Sequence, residues 1–217
     1  MPVAIPRATI KRLFIYCRAL LESRETEVIS SEELSQLTGF TAAQIRKDLT
    51  YFGQFGTPGR GYTIKDLTHQ LKAILGIDRE WEVALVGVGN MGRALVAYEG
   101  LKTQGFKVTQ LFDSDINKTG MFCAGLKIKD IKTIKEEIQN SAVKIAVLAV
   151  PANAAQEVTN LLLEAWGISA EGGSASGGKA ILNFAPTRIV VPAGVNVLNI
   201  DITNELTRLS YYLVQPT

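Results

Sequence analysis

The sequence predicts an α/β protein in which a small helical domain precedes a doubly wound parallel sheet and a terminal helix. Up to Leu75, apolar residues recur at intervals of three and four, as they do along the buried faces of helices. From Trp81 onward, apolar segments of strand length alternate with helical ones, which is typical of a mostly parallel sheet covered by helices. We therefore expect two folding units that meet near the segment "GIDRE".

The composition is that of an ordinary globular protein. The 217 residues are 47% hydrophobic and 20% charged, which argues against a disordered chain. No apolar segment reaches membrane-spanning length, and the first residues lack the apolar core of a signal peptide. Cys17 and Cys123 show no metal-ligand spacing, so we expect two thiols in a reducing compartment. These features predict a cytoplasmic protein with no membrane partner.

Two short helices are predicted first. Pro6 suits the start of the first helix, since no backbone N–H is needed there. Ser30 and Glu33 form a capping box that begins the second helix, and Gly39 suits its left-handed end. The face of the first helix that we expect to be buried comprises Ile10, Leu13, Phe14, Cys17, Leu20 and Leu21.

A third helix and a hairpin follow in "TAAQIRKDLTYFGQFGTPGRGYTI". Thr41 and Gln44 form a second capping box, and Ile45, Leu49 and Phe52 would face inward. The glycine-rich part predicts a tight hairpin, because "YTI" resumes strand propensity. This order predicts a winged helix-turn-helix, whose third helix enters the major groove while the hairpin reaches the minor groove. The predicted DNA contacts point outward and comprise Gln44, Arg46, Lys47, Thr50, Tyr51 and Arg60.

The segment "VALVGVGNMGRAL" predicts a nucleotide site. Gly87, Gly89 and Gly92 form G-x-G-x-x-G after a strand and at the start of a helix, where backbone N–H groups bind a pyrophosphate. Asp113 ends the next strand, 21 residues after Gly92, where a carboxylate binds the adenosine ribose and repels a 2′-phosphate. The spacing therefore predicts NAD(H) in preference to NADP(H).

A catalytic site is not evident in the sequence. Hydride transfer needs an acid or base, and the only histidine, His69, is interpreted as a structural residue of the helical domain. Cys123 has no histidine partner nearby in sequence. A small NAD-dependent dehydrogenase with an N-terminal interaction domain stays open as the alternative, and an NAD-binding scaffold as a weaker one.

Four motifs occur in order along the chain: "TAAQIRKDLTYFGQFGTPGRGY", "VGVGNMGRALVAYEG", "LNFAP" and "TRLSYYL". Together they resemble the Rex family of bacterial redox-sensing transcriptional repressors. The resemblance implies a homodimer that binds palindromic operator DNA when NADH is low and leaves it when NADH binds. NADH and NAD+ would be sensed and not consumed, so the chain would not be an enzyme.

The same resemblance implies a domain-swapped terminal helix and a set of site residues. The apolar stripe of Leu206, Leu209 and Leu213 suits a swapped helix, although packing on the chain's own sheet would also explain it. The implied redox-reporting residues are Arg18, Tyr98 and Asp201, with Ile202 beside them. The implied nucleotide-binding residues are Gly87, Val88, Gly89, Asn90, Met91, Gly92, Asp113, Val150, Pro151, Asn183, Ala185 and Ile202.

The sequence thus divides into three parts. Residues 1–78 are expected to form the winged-helix domain, 79–202 the Rossmann-type domain, and 203–217 the dimerisation helix. The Gly/Ser-rich stretch "GISAEGGSASGGKA" exceeds the usual length of a helix–strand connection. We interpret it as a surface insertion or an engineered linker, with a flexible functional loop as the alternative, and assign it no role.

Overall fold

The computed structural model describes residues 5–23, 27–56, 60–169 and 178–215. The chain divides into two compact units, Met1–Arg79 and Glu80–Thr217. Most of the Gly/Ser-rich stretch, residues 170–177, and the tip of the expected hairpin, residues 57–59, lie outside the described part. No helix within the described residues combines the length and apolarity that crossing a bilayer requires.

In its described residues, the first unit packs four helices around a core in which Leu13, Leu34, Ile45 and Leu71 are fully buried. Its second helix begins at the complete capping box of Ser30 and Glu33, as the sequence predicts. The elements are α1 (Arg7–Glu22), β1 (Val28–Ile29), α2 (Ser31–Thr38), α3 (Ala42–Thr50), β2 (Tyr62–Thr63) and α4 (Ile64–Leu75).

Two expectations for this unit are wrong in detail, and a third lies partly outside the described residues. The tip of the expected hairpin belongs to that third case, and the structure adds a pairing that the sequence did not predict. Tyr62–Thr63 pairs antiparallel with Val28–Ile29, which precedes α2. The capping box at Thr41 is only half formed, because the side chain of Gln44 turns to another partner. On α1 the buried face includes Tyr16, whereas the predicted members Ile10, Phe14 and Leu21 are exposed.

The part of the second unit that the structure describes is a seven-stranded sheet flanked by helices. The strands are β3 (Trp81–Val86), β4 (Phe106–Asp113), β5 (Phe122–Cys123), β6 (Leu126–Asp130), β7 (Ile145–Leu148), β8 (Lys179–Asn183) and β9 (Val195–Asn199). The helices are α5 (Asn90–Ala97), α6 (Glu99–Thr103), α7 (Ile134–Gln139), α8 (Ala152–Ala165) and α9 (Ile202–Val214), with a 3-10 turn at Ile131–Thr133.

The strand order is that of a Rossmann sheet. Strands run β5-β6-β4-β3-β7-β8-β9, and every neighbouring pair is parallel except β5 with β6. The sequence did not predict the short β5. If β5 is left out and the other strands are numbered along the chain, their order across the sheet is third, second, first, fourth, fifth, sixth. The chain reverses its direction of winding between β3 and β7, and such a switch point opens a crevice at the carboxyl ends of the strands.

The expected helix from Met91 to Lys102 is interrupted. Tyr98 has φ −76° and ψ 102°, an extended conformation that ends α5 and precedes α6. The ring of Tyr98 lies against Gly100, where a Cβ atom would overlap it. Because Gly100 has no side chain, the ring of Tyr98 can take this position beside the break between α5 and α6.

The terminal helix α9 is left without cover in the single chain. All of residues 202–215 are exposed, among them Leu206, Leu209 and Leu213. The alternative that this stripe packs on the chain's own sheet is therefore wrong. A continuous apolar face that is exposed to solvent normally marks a contact with another molecule.

Candidate nucleotide site and nucleic-acid interface

The crevice at the switch point holds a cavity of about 630 Å³. It is bounded by the glycine-rich turn after β3, the end of β4 and the segment after β7. Its wall includes Gly87, Gly89, Asp113, Val150 and Phe184. This volume suits a ligand of nucleotide size, and the lining combines an apolar floor with a few polar groups, as small-molecule sites commonly do.

The three glycines of the turn have different surroundings. Gly87 has φ +94°, and a Cβ atom there would overlap the carbonyl oxygen of Ala149. A Cβ atom at Gly92 would overlap the carbonyl oxygen of Gly87. Gly89 faces open space, with no atom within 4 Å of the point where a Cβ atom would lie. The first and third glycines therefore permit the turn and the close packing of α5, while the second leaves the approach to the backbone clear.

Helix α5 begins at the mouth of this cavity. Gly89 is its N-cap and has no side chain to occupy the free N–H groups of the first turn. Those groups and the helix dipole favour a negatively charged ligand. The turn and helix are thus suited to a phosphate.

Asp113 ends β4 beside the turn and is nearly buried, with 6% of its surface exposed. One carboxylate oxygen accepts hydrogen bonds from the backbone N–H of Val88 at 2.8 Å and from Nζ of Lys118 at 3.1 Å. The other accepts the backbone N–H of Asp115 at 2.9 Å. Burial alone would raise the pKa of Asp113, but these donors outweigh it and lower that pKa. Asp113 is therefore a carboxylate at neutral pH.

The other predicted nucleotide-binding residues take varied places. Met91, Val150 and Pro151 line the cavity. Val88 is fully buried and its backbone N–H donates to Asp113, and Asn90 is the first residue of α5. Ala185 is buried after β8, and Ile202 is exposed at the start of α9.

Asn183 is not placed to contact a ligand through its side chain. It is fully buried, and its amide donates to the carbonyl of Thr187 and to the side chain of Asn199, both at 2.8 Å. Its carbonyl oxygen accepts the backbone N–H of Ala185 at 3.0 Å. Asn183 therefore holds the loop after β8 in place, a role that the sequence pattern did not distinguish from ligand contact.

The three predicted redox-reporting residues each sit at the end or on the surface of a helix. Arg18 on α1 is bound to Glu22 at 3.0 Å, and both side chains are exposed. Tyr98 is exposed at the break between α5 and α6. Asp201 caps α9 by accepting the backbone N–H of Asn204 at 3.1 Å. Their action as one set stays a prediction.

Within the described residues, the lining of the cavity includes none of Tyr98, Lys102 and His69. Tyrosine and lysine can transfer protons in hydride-transfer enzymes. Tyr98 and Lys102 are four residues apart, a spacing that puts two side chains on one face of a continuous helix, but the helix breaks at Tyr98. His69 is exposed on α4, in the other unit. Among the described residues, no three metal-binding side chains are grouped to hold an ion.

On α3, the predicted recognition helix, Arg46 and Lys47 are exposed. Thr50 is exposed too, but its hydroxyl donates to the carbonyl of Arg46 at 2.7 Å. Tyr51 is half-buried just after the helix, and Arg60 is exposed shortly before β2. Arg46 is bound to α2, while Gln44 is half-buried and donates to Asp48 at 2.8 Å. Gln44 is therefore less available to DNA than its position in the sequence suggests.

A residue that sequence reasoning missed anchors this helix. Asp48 on α3 is fully buried, and Arg12 on α1 donates to its two oxygens at 2.5 and 2.7 Å. The hydroxyl of Tyr16 donates at 2.9 Å, Gln44 at 2.8 Å and Thr9 at 3.3 Å. Burial would raise the pKa of Asp48, but the bonds from Arg12, Tyr16 and Gln44 lower it overall. The buried ion pair therefore fixes α3 against α1.

Two known protein families match parts of the chain. The family described as "Putative DNA-binding protein N-terminus" matches residues 4–50, and the family described as "CoA binding domain" matches residues 78–170. The first match covers α1 to α3, and the second covers the glycine-rich turn and Asp113. Each match covers less than half of the chain.

Curated relatives match almost the whole chain. A protein of Roseiflexus sp. (strain RS-1) named redox-sensing transcriptional repressor Rex is 42% identical over 212 residues, which is 97% of this chain and 91% of the relative. Its namesake in Streptomyces coelicolor is 40% identical over 210 residues, which is 96% of this chain and 77% of the relative. The chain belongs to the Rex family. The family consists of transcriptional repressors, and the dehydrogenase alternative is not supported.

Solved Rex structures have the same fold. The crystal structure of RSP in complex with β-NAD+ and operator DNA is 33% identical, covers 97% of this chain and 93% of that chain, and has a TM-score of 0.88. The crystal structure of RSP in complex with β-NADH is 31% identical and has a TM-score of 0.80, with 97% and 95% of the two chains covered. The fold class predicted from the sequence is thereby confirmed.

Proposed function

We propose that this Rex protein is a cytoplasmic homodimer that binds palindromic operator DNA when NADH is scarce and releases it when NADH binds. The observation that carries the proposal is that one chain joins two sites. A turn of three glycines lies beside a buried carboxylate in one unit, and an anchored recognition helix lies in the other. RSP, a relative of the same fold, has been crystallised with NAD+ and operator DNA and with NADH.

The nucleotide is NAD(H), held by the second unit. Phosphates would meet the N-terminus of α5 above Gly89, where nothing obstructs the backbone. The ribose hydroxyls would donate to Asp113, and the negative charge of that carboxylate would repel a 2′-phosphate. Val150 and Pro151 form the apolar side of the same cavity.

The DNA is read by the first unit. Arg46 and Lys47 on α3 have the donors that bind guanine O6 and N7, and Thr50 and Tyr51 would contact bases or phosphates, whereas Gln44 is bonded to Asp48 and would support the helix. Arg60 would enter the minor groove. In a dimer, two such helices must stand one turn of DNA apart, about 34 Å.

The dimer is formed through α9. Ile202, Leu206, Leu209 and Leu213 are all more than half exposed in the single chain, and a second copy would cover them. The proposed division into residues 1–78, 79–202 and 203–217 follows from this role. Residues 203–217 would pack against the partner copy rather than against their own unit.

The nucleotide acts through the arrangement of the two units. The implied redox-reporting residues are divided between the units, with Arg18 in the first and Tyr98 and Asp201 in the second. A reduced nicotinamide is uncharged and would favour the closed arrangement, in which the recognition helices are misplaced. The oxidised ring carries a positive charge and would bind that arrangement less well. A coupling of about 1–3 kcal/mol is usual for such regulation.

The experiment that tests this function is a gel-shift titration. A palindromic duplex selected by the protein from a random-sequence pool is titrated at fixed protein with NADH, NAD+ or coenzyme A. We expect NADH to release the duplex at a lower concentration than NAD+, and coenzyme A to leave it bound. Release by NAD+ with NADH inactive would reverse the assigned sign, and the absence of any nucleotide effect would refute the function.

Asp113→Asn tests the choice of nucleotide. Asparagine keeps an acceptor for the N–H of Val88 but removes the charge that repels a 2′-phosphate. We expect the preference for NADH over NADPH to fall by roughly 10-fold or more, since an unfavourable like-charge contact is removed. Binding is measured by nicotinamide fluorescence with both nucleotides, and Asp130→Asn, which removes a carboxylate that is not in the cavity lining, serves as the control. An unchanged preference would remove Asp113 from the ribose site.

A further inference from the structure

The guanidinium of Arg46 on the recognition helix donates hydrogen bonds to two side chains in the first turn of α2. Its Nη1 donates to the hydroxyl of Ser31 at 2.5 Å and to the carboxylate of Glu32 at 2.8 Å. The hydroxyl of Ser31 donates in turn to the other oxygen of Glu32 at 3.0 Å. The three side chains therefore form a closed triangle of hydrogen bonds.

The triangle uses only one end of the guanidinium. Within the described residues, Nε and Nη2 of Arg46 have no hydrogen-bond partner, and the side chain is 52% exposed. These atoms carry three N–H donors, and two of them, one from Nε and one from Nη2, lie side by side along one edge of the planar group. Such an edge can donate two parallel hydrogen bonds to guanine. Fixing the other end restricts the direction in which this edge points.

The carboxylate that fixes Arg46 also affects the affinity for any DNA. Glu32 is 67% exposed on the same surface as Arg46, so its charge opposes an approaching phosphate backbone. Its pKa is lowered, first by the hydrogen bond from Arg46, so it stays ionised at neutral pH. A repulsive group of this kind lowers binding to all sequences, and only a sequence that completes the contact of Arg46 compensates for it.

We propose that Glu32, with Ser31, is a specificity-determining residue that positions Arg46 for base reading and suppresses binding to non-operator DNA. The proposal rests on the DNA-reading role of α3 proposed above. Glu32 does not contact the base itself; it acts through Arg46. Its effect is therefore on the ratio of affinities for correct and altered sites, more than on affinity for the correct site.

The test compares Glu32→Gln with Glu33→Gln. Both variants remove one negative charge from the same turn of α2, but only Glu32 is bonded to Arg46, whereas Glu33 caps Ser30. Affinities of the full chain are measured for the palindromic duplex selected by the wild-type protein, for the same duplex with each base pair altered in turn, and for a scrambled duplex. Thermal unfolding confirms that each variant is folded.

For Glu32→Gln we expect the ratio of affinities for the selected and scrambled duplexes to fall by about 10-fold, the scale of one bidentate base contact. The loss should concentrate at one or two base pairs in each half-site, and Ser31→Ala should lose discrimination at the same positions. Glu33→Gln should strengthen binding to all duplexes alike. If Glu32→Gln also strengthens binding to all duplexes equally, Glu32 is only a surface charge and the proposal is refuted.

The outcome is separable from that of the proposed function. Release of the selected duplex by NADH is measured in the wild-type chain and in Glu32→Gln. The positioning role predicts that NADH still releases the duplex from the variant, because the nucleotide site lies in the other unit. A wild-type chain that ignores NADH would refute the proposed function, while equal discrimination by Glu32→Gln and wild type would refute only the role of Glu32.

Discussion

Replacing Asp48 with alanine should lower the free energy of unfolding by about 3 kcal/mol, because it leaves the partner charge of a buried ion pair without compensation. Asp48 is fully buried, and its oxygens accept hydrogen bonds from the side chains of Thr9, Arg12, Tyr16 and Gln44. The side chain of Arg12 is only 20% exposed, so water replaces the carboxylate poorly. Urea unfolding followed by circular dichroism measures the change.

The matched control is Asp78→Asn, in the same unit. Asp78 pairs with Arg79 at 2.9 Å, but the arginine is 60% exposed, and such surface pairs contribute at most about 1 kcal/mol. Operator affinity should fall in Asp48→Ala even at temperatures where the variant is folded, because α3 loses its anchor. Equal effects of the two substitutions would show that the buried network does not stabilise the fold.

The same ion pair makes an expected contribution to acid sensitivity. The pKa of Asp48 is lowered in the folded chain relative to its ordinary value near 4. Its contribution is therefore fully present above about pH 4 and is lost as the pH falls from there through the folded pKa. The stability difference between wild type and Asp48→Ala should accordingly shrink below about pH 4 and stay constant between about pH 5 and 8, as measured by urea unfolding across that range.

Gly89→Val should weaken nucleotide binding strongly and leave the unliganded fold unchanged. Gly89 has φ −81° and ψ −164°, which any residue adopts, and its Cβ position faces open space. A valine side chain would occupy the space above the first turn of α5 that the phosphates need. We expect NADH affinity to fall by at least about 100-fold, equivalent to about 2.7 kcal/mol, with the thermal midpoint unaltered. The variant should still bind operator DNA but no longer release it with NADH.

Gly92→Ala provides the contrast. Its added Cβ atom would overlap the carbonyl oxygen of Gly87, so α5 must shift even without a ligand. We expect a stability loss of about 1–3 kcal/mol, the usual cost of overpacking, and weaker NADH binding as a consequence. If Gly89→Val unfolds the chain, or if it binds NADH as wild type does, the separate roles of the two glycines are wrong.

The parts of the fold that depend on local patterns could be predicted from the sequence. The alternation of strands and helices after Trp81 indicated the parallel sheet, because each strand is an apolar run bounded by turn residues. Ser30 with Glu33 and the left-handed Gly39 set the limits of α2 through contacts within four residues. Asp113 could be located because its distance from the glycines along the chain reflects one strand–helix–strand unit.

The parts of the fold that depend on contacts between residues distant in sequence could not be predicted from the sequence. The partner of Tyr62–Thr63 is Val28–Ile29, and no local signal distinguishes it from a hairpin partner. Asp48 lies three residues after Ile45 and four before Phe52, so helical spacing places it on the inward face, but no local signal identifies Arg12 as its partner. Asn183 illustrates the reverse case, since a polar residue at the carboxyl end of a strand can serve the loop as readily as a ligand.

The anchoring of α3 to α1 has a mechanical consequence. Arg18 lies six residues beyond Arg12 on the same continuous helix, a rise of about 9 Å. Because Arg12 and Tyr16 on α1 donate hydrogen bonds directly to Asp48 on α3, we expect the two helices to move together. We therefore expect a tilt of α1 near Arg18 to move α3, the proposed recognition helix, together with it.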